Sequence, residues 1–143
     1  MIDINYSLRT AYYTALSGIA GVPVFYNMVP PNVSPTDYIV YRSITNSDAS
    51  TMNSSDTDTQ ITVEIQTFED GLNPGLSADM IAREVFNRIL PNPGATLTLD
   101  GAQMVSTRLL NDITQPPVAQ GNRMYVSRFL TFGHKIFHRS DIS

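Results

Sequence analysis

His134 and His138 are the only histidines in the chain. Four residues apart on a helix, they would share one face and could grip a metal ion between them. Their setting, Phe129-Leu130-Thr131-Phe132-Gly133-His134-Lys135-Ile136-Phe137-His138, reads as strand. Four residues of strand span roughly 13 Å, too far for one ion, so no metal site is expected there. Asp56 and Asp58 in Ser55-Asp56-Thr57-Asp58-Thr59 have the flavour of a calcium loop, without the ligand spacing and closing Glu of an EF-hand. Glu64 and Glu84 have no carboxylate partner that the sequence identifies, so paired acid–base chemistry cannot be built on them. Zero cysteines exclude disulfides, thiolate catalysis and Cys-based zinc sites. No Gly-rich phosphate loop, nucleophile elbow or Walker pattern occurs. The seven tyrosines could stack on bases, but Tyr12 belongs to a core face and Tyr38 and Tyr41 to opposite faces of one strand, which packing explains without nucleic acid. The inventory points away from an enzyme, and no cofactor is expected.

Composition agrees. Charged residues are only 15% of the 143 positions against 42% hydrophobic, so much of the surface falls to Ser, Thr, Asn and Gln, which cost little to desolvate beside a partner. The net charge of −4 is uneven: residues 1–70 hold Arg9 and Arg42 against eight acids, while residues 71–143 carry two more bases than acids. An acidic chain with Lys135 as its single lysine is a poor non-specific nucleic-acid binder. Two poles of opposite sign suit head-to-tail association with further copies. No apolar run approaches the ~18 residues that span a bilayer, and the N-terminus lacks the pattern of a signal peptide. A soluble protein made in a cytoplasm, without membrane partners, is the expectation.

The elements that must position these residues follow from periodicity. Leu8, Ala11, Tyr12, Ala15, Leu16 and Ile19 form one face of a first helix, capped by Asn5 or Ser7 and ended by Gly18 and Gly21. Val22–Tyr26 is a short strand whose Pro23 suits a strand start or an edge, and Pro30, Pro31 and Pro35 mark an extended loop. Residues 37–44 form a second strand. Residues 60–66 form a third, with Ile61, Val63 and Ile65 facing the core and Gln60, Thr62, Glu64 and Gln66 on the wet side. Ser77 caps a second helix over Ala78–Leu90, whose apolar face is Ala78, Ile81, Ala82, Val85, Phe86 and Ile89. Thr96–Leu99 and residues 102–110 are strands joined at Asp100-Gly101, and Arg123–Arg139 is one long strand, or two with a break near Gly133, apolar on both parities as a strand covered on both faces, mid-sheet or under a partner, would be. The order α-β-β-β-α-β-β-β predicts a single α+β domain over 1–143: a two-layer sandwich, mostly antiparallel, with two helices on one face.

What remains are two long uncharged stretches. Residues 45–59 are too long for a tight turn and read as an arm or flap at the end of a hairpin; residues 111–121, with Pro116-Pro117, read as a second loop. These belong to a protein that contacts other proteins. The contact residues expected are Ser50, Met52, Ser54, Asp56 and Asp58 in the first stretch, Pro116 and Pro117 in the second, and Arg123 and Arg128 in the basic final strand.

Several segments together resemble a family. Leu8-Arg9 and Ala15-Leu16-Ser17 lead to Gly21-Val22-Pro23-Val24-Phe25-Tyr26, then to Pro35-Thr36-Asp37-Tyr38-Ile39-Val40-Tyr41. Thr62-Val63-Glu64-Ile65-Gln66-Thr67-Phe68 precedes the second helix, and Leu97 to Asp100, Gly101-Ala102-Gln103-Met104-Val105 and the final strand complete the set. Over nearly the whole chain this resembles the tail terminator (tail completion) proteins of long-tailed phages and their relatives at head–tail junctions. The resemblance rests on hydrophobic strands and turns. It implies a ring, usually a hexamer, on the end of the tail tube, ending tube polymerisation and joining tail to head. The implied partners are sister copies, the tail tube protein and a head–tail connector or neck protein, with DNA passing through the lumen without specific binding. The implied location is the tail or neck region of the virion, after assembly in the host cytoplasm. A head-completion or neck adaptor under the portal is the nearest alternative. A small metal- or nucleic-acid-binding domain using His134, His138 and the basic final strand is the alternative of another class.

Overall fold

Leu8, Tyr12 and Leu16 are buried along one side of the first helix, α1 (Ile4–Leu16), and Ile19 joins them from the turn beyond its end. The computed structural model of the chain describes residues 4–32, 37–48, 56–70, 75–90, 99 and 102–138. Because α1 starts at Ile4, Asn5 and Ser7 lie inside its first turns rather than capping it. Its C-terminal end gives way to Gly18 at φ +82°, a left-handed conformation that stops a helix at no Cβ cost.

The strands are β1 (Val24–Tyr26), β2 (Tyr38–Asp48), β3 (Asp56–Asp70), β4 (Ala102–Thr114), β5 (Val118–Gln120) and β6 (Arg123–His138), with helix α2 (Leu76–Ile89) between β3 and β4. They form one sheet in the order β1-β2-β3-β6-β4, with β5 also on β6. Every pairing is antiparallel except β1 with β2. Both helices pack on one face, where Leu8, Tyr12 and Leu16 of α1 and Ala78, Ile81, Ala82, Val85 and Ile89 of α2 meet Ile39, Tyr41, Ile61, Val63, Ile65, Val126, Leu130, Phe132 and Ile136 of the sheet. The chain is an α+β two-layer sandwich. Along β6, Val126, Leu130, Phe132, His134 and Ile136 are buried on the helical side, and Tyr125, Phe129 and Phe137 are half-buried on the other. β6 lies mid-sheet between β3 and β4, and among the described residues the helices cover only one of its two apolar faces, where cover on both was expected.

Three expectations need correction. First, the stretch 45–59 is largely strand: β2 runs on to Asp48 and β3 begins at Asp56, paired from Thr45↔Gln60 to Asp48↔Thr57 after a bulge between Ser43 and Thr45. Asp, Asn and Ser have low strand propensity, but β3 is also paired with β6 over Asp56↔Phe137 to Gln60↔Gly133. Backbone ladders on both sides of β3 outweigh propensity. Residues 49–55 of that stretch lie outside the described residues.

Second, the expected loop 111–121 is an edge strand in two pieces. β4 continues through Asn111 to Thr114, Gln115 N–H donates to Ser127 O at 3.0 Å, and β5 resumes at Val118 opposite Tyr125. Pro116 and Pro117 have no N–H to give the ladder, which splits the strand. Gly121-Asn122 then closes a two-residue hairpin, with Gly121 at φ +63° as a II′ turn requires at its first position. The described elements run in the order α-β-β-β-α-β-β-β, with β5 formed where a loop was expected; of the strand expected at 96–99 only Leu99, a buried core residue, is among the described residues. The Asp100-Gly101 turn lies outside the described residues.

Third, Ser77 does not cap α2. The N-cap is Gly75, in a left-handed conformation at φ +100° with no side-chain cap. Buried Glu69 of β3 supplies the acceptor instead: its Oε1 takes the Ser77 N–H at 2.8 Å and its Oε2 the Thr67 hydroxyl at 2.6 Å. A carboxylate at the positive end of the helix satisfies one of its orphan donors. At the far end Arg88 donates from Nη1 to Ala15 O at 3.1 Å and Ser17 O at 2.7 Å, so α2 caps the C-terminus of α1.

Candidate assembly surfaces

Of the two histidines, His134 is absorbed into the fold. His134 is buried at the junction of α1, β4 and β6, where the Tyr12 hydroxyl shares a hydrogen bond with Nε2 and Thr107 Oγ1 lies 2.9 Å from Nδ1. A neutral ring donates at one nitrogen and accepts at the other, so both partners fit it uncharged. Burial alone holds its pKa down at about 4 and pushes that of Tyr12 up. His138 sits four residues further along β6, opposite Ala102. Among the described residues no three His, Asp or Glu groups come together in a way that could hold a metal ion.

The contact residues expected from sequence divide sharply. Ser50, Met52 and Ser54 lie outside the described residues. Asp56 and Asp58 are in β3 rather than in a loop, opposite Phe137 and Lys135, with Asp58 exposed. Arg123 is exposed at the start of β6. Arg128 is engaged within the chain: Nη2 meets Asp112 Oδ2 of β4 at 2.7 Å, Nη1 meets Asp79 Oδ1 of α2 at 2.9 Å, and its guanidinium lies over the Phe86 ring. With its side chain 16% exposed, it clamps α2 to the edge strand, and those hydrogen bonds and charges raise its pKa further. Glu64 and Glu84 also have cationic neighbours, Arg42 at 3.4 Å and Arg88 at 3.7 Å.

Pro116 and Pro117 are exposed, and they stand in a patch that the sequence reading did not assemble. Leu110, Ile113 and Val118, 40%, 49% and 63% exposed, lie on the open face of the sheet over or opposite Gly133, Phe129 and Tyr125, while Leu109, 39% exposed and opposite buried Phe132, faces the helical side. Leu110 is the bulge residue between Leu109 and Asn111, and it lies over Gly133, where a Cβ would meet its Cδ1 at 2.9 Å. A long apolar edge strand is a surface that seeks pairing, and the Pro-Pro break limits how far that can run.

At the opposite edge of the sheet, α1 and β1 enclose a cleft of about 470 Å³. Tyr6, Tyr13 and Met28 are 68%, 56% and 62% exposed there, and Arg9 is stacked 4.4 Å above the Tyr26 ring. The Tyr41 hydroxyl donates to Arg9 O at 2.9 Å, and burial pushes its pKa up to about 12. A signal for this cleft existed: Tyr6, Arg9, Thr10 and Tyr13 fall at i, i+3, i+4 and i+7, a second stripe beside the core stripe of α1.

The open face of the sheet is mixed and half-buried. Phe68 and Tyr125 make an edge-to-face pair with centroids 4.1 Å apart, and Phe25 and Tyr38 another at 6.4 Å. Tyr38 has its pKa raised by burial and then by a hydrogen bond with Tyr125.

No protein-family model matches the sequence, and no curated protein matches it. The fold is similar to that of a chain in the virion of a native gene transfer agent (GTA) particle. The TM-score is 0.70 at 20% identity, over 96% of this chain and 99% of that one. A second solved chain matches at TM-score 0.51 and 14% identity, over 91% of this chain and 94% of the other. At these identities the likeness is one of fold.

Proposed function

We propose that this chain is a non-enzymatic structural subunit of a phage-like particle. Copies of it close into a ring on the end of the tail tube, stop tube growth and join the tail to the head, and DNA passes through the lumen. The observation that carries the reading is the pair of exposed apolar surfaces at opposite edges of one sheet, β4–β5 on one side and the α1–β1 cleft on the other. Two different patches on opposite sides of one subunit make a heterologous contact, which closes into a ring when the rotation is right.

Three further points support it. The fold recurs, over nearly its full length, in a chain of a gene transfer agent virion. Two buried titratable groups, His134 and Glu69, are taken up in packing, which suits a building block. The net charge of −4 with a single lysine suits a passage through which DNA slides without being held. The tube protein and a head–tail connector or neck protein are the partners, and six copies is the ring size that the sequence resemblance implies.

The test is location. With the chain labelled in a strain whose heads and tails are blocked from joining, the label is expected on isolated tails, at one end. Label confined to heads would contradict the tail assignment and favour the neck adaptor.

A further inference from the structure

We propose that the Pro116–Pro117–Val118 knuckle of one copy seats in the tyrosine cleft between α1 and β1 of the next copy. This rests on the self-association proposed above and names the two surfaces that meet.

The chemistry of the two surfaces matches. The cleft is walled by Tyr6, Tyr13, Tyr26, Met28 and Pro30, with Arg9 held over Tyr26. Aromatic-lined grooves take extended proline segments, because the rings pack flat on aromatic faces and the segment has little backbone freedom left to lose. The knuckle is such a segment: Pro116 and Pro117 are exposed and fixed at both ends, by Gln115 to Ser127 and by Val118 opposite Tyr125. The cleft also holds the Arg9 guanidinium, a cationic donor that a carbonyl of the knuckle can accept from. From Ile113 to Asn122 the chain carries no charge, so docking strands no ion away from water.

Their placement fits a lateral contact. One row of the sheet runs Val24, Ile39, Ile65, Arg128, Thr114. It begins at the cleft edge and ends two residues before Pro116, so cleft and knuckle stand at nearly the same height on opposite edges. Four strand spacings separate them, roughly 19 Å, so they cannot meet within one chain.

The absence of cysteine makes the test clean. The full chain carrying Tyr13→Cys and Pro117→Cys is oxidised mildly and run without reductant. A ladder of dimer, trimer and higher species that collapses on reduction is expected, and an equal mixture of the two single variants is expected to stop at dimer. A disulfide needs Cα atoms about 4.4–6.8 Å apart, so a link within one chain is ruled out. Glu84→Cys with Pro117→Cys, which moves one thiol to the wet face of α2, is expected to give no ladder. Tyr6→Cys with Val118→Cys repeats the experiment should the first pair fail to fold. A double variant that remains monomeric while the unmodified chain self-associates would overturn the knuckle-in-cleft contact and leave the ring reading intact. An equal ladder from the Glu84 control would overturn it as well. An unmodified chain that never self-associates would bring down both.

Discussion

The helix-covered face and the two outer edges of the sheet solve opposite problems. Under the helices each polar group discussed above finds a partner inside the chain: His134 between Tyr12 and Thr107, Glu69 at the head of α2, Arg88 at the tail of α1, Arg128 between two aspartates. At the edges the reverse holds, and Tyr13, Met28, Ile113 and Val118 leave large apolar areas in water. A chain that matched its polar groups so closely in one place and left apolar ones uncovered in another has divided its labour. One region holds the fold and the other is available to a neighbour. Substitutions should separate accordingly, costing stability in the first region and assembly in the second.

The sharpest way to break this division is at its centre. Phe132 is fully buried and meets Phe86 edge-to-face with centroids 6.2 Å apart. Phe132→Ala is expected to cost about 3–5 kcal/mol of folding stability, read from urea denaturation. A loss no larger than that of an edge substitution, which should stay within about 0.5 kcal/mol, would mean that the core is misplaced.

Acid offers a somewhat smaller effect. The folded chain holds His134 at a pKa of about 4, below the ordinary value of about 6.5, because burial disfavours the imidazolium. The unfolded chain therefore takes the proton first. The resulting stability is complete above about pH 6.5 and is lost as the pH falls towards 4, on the order of 3 kcal/mol in all. The measurement is the denaturation midpoint from pH 7 to pH 4 in the wild type and in His134→Gln. The wild type should show the steeper fall, and parallel curves would contradict the buried neutral ring.

Much of the covered face was legible in the residues themselves. The Leu8-Tyr12-Leu16 stripe, the Ile61-Val63-Ile65 alternation and the α2 face each follow from one element meeting one core, and local periodicity encodes that directly. The edges were harder to read for a physical reason. The strands at 45–48, 56–59 and 111–114 are held by their neighbours on the sheet, so Asp and Asn become strand against their own propensities. The cap on α2 was missed because its acceptor, Glu69, comes from another element. Arg128 was placed at an interface for its charge, whereas Asp79 and Asp112, 49 and 16 residues away in sequence, claim it. Pro116 and Pro117, expected in a loop, are instead the break in an exposed edge strand.

The most direct test of the central idea, that these edges join copies of one chain, is the native mass of the purified protein as its concentration is raised. The account predicts integral multiples of the 15.8 kDa subunit ending at one closed stoichiometry. A mass that stays at one subunit at every concentration, with the chain folded, would contradict it.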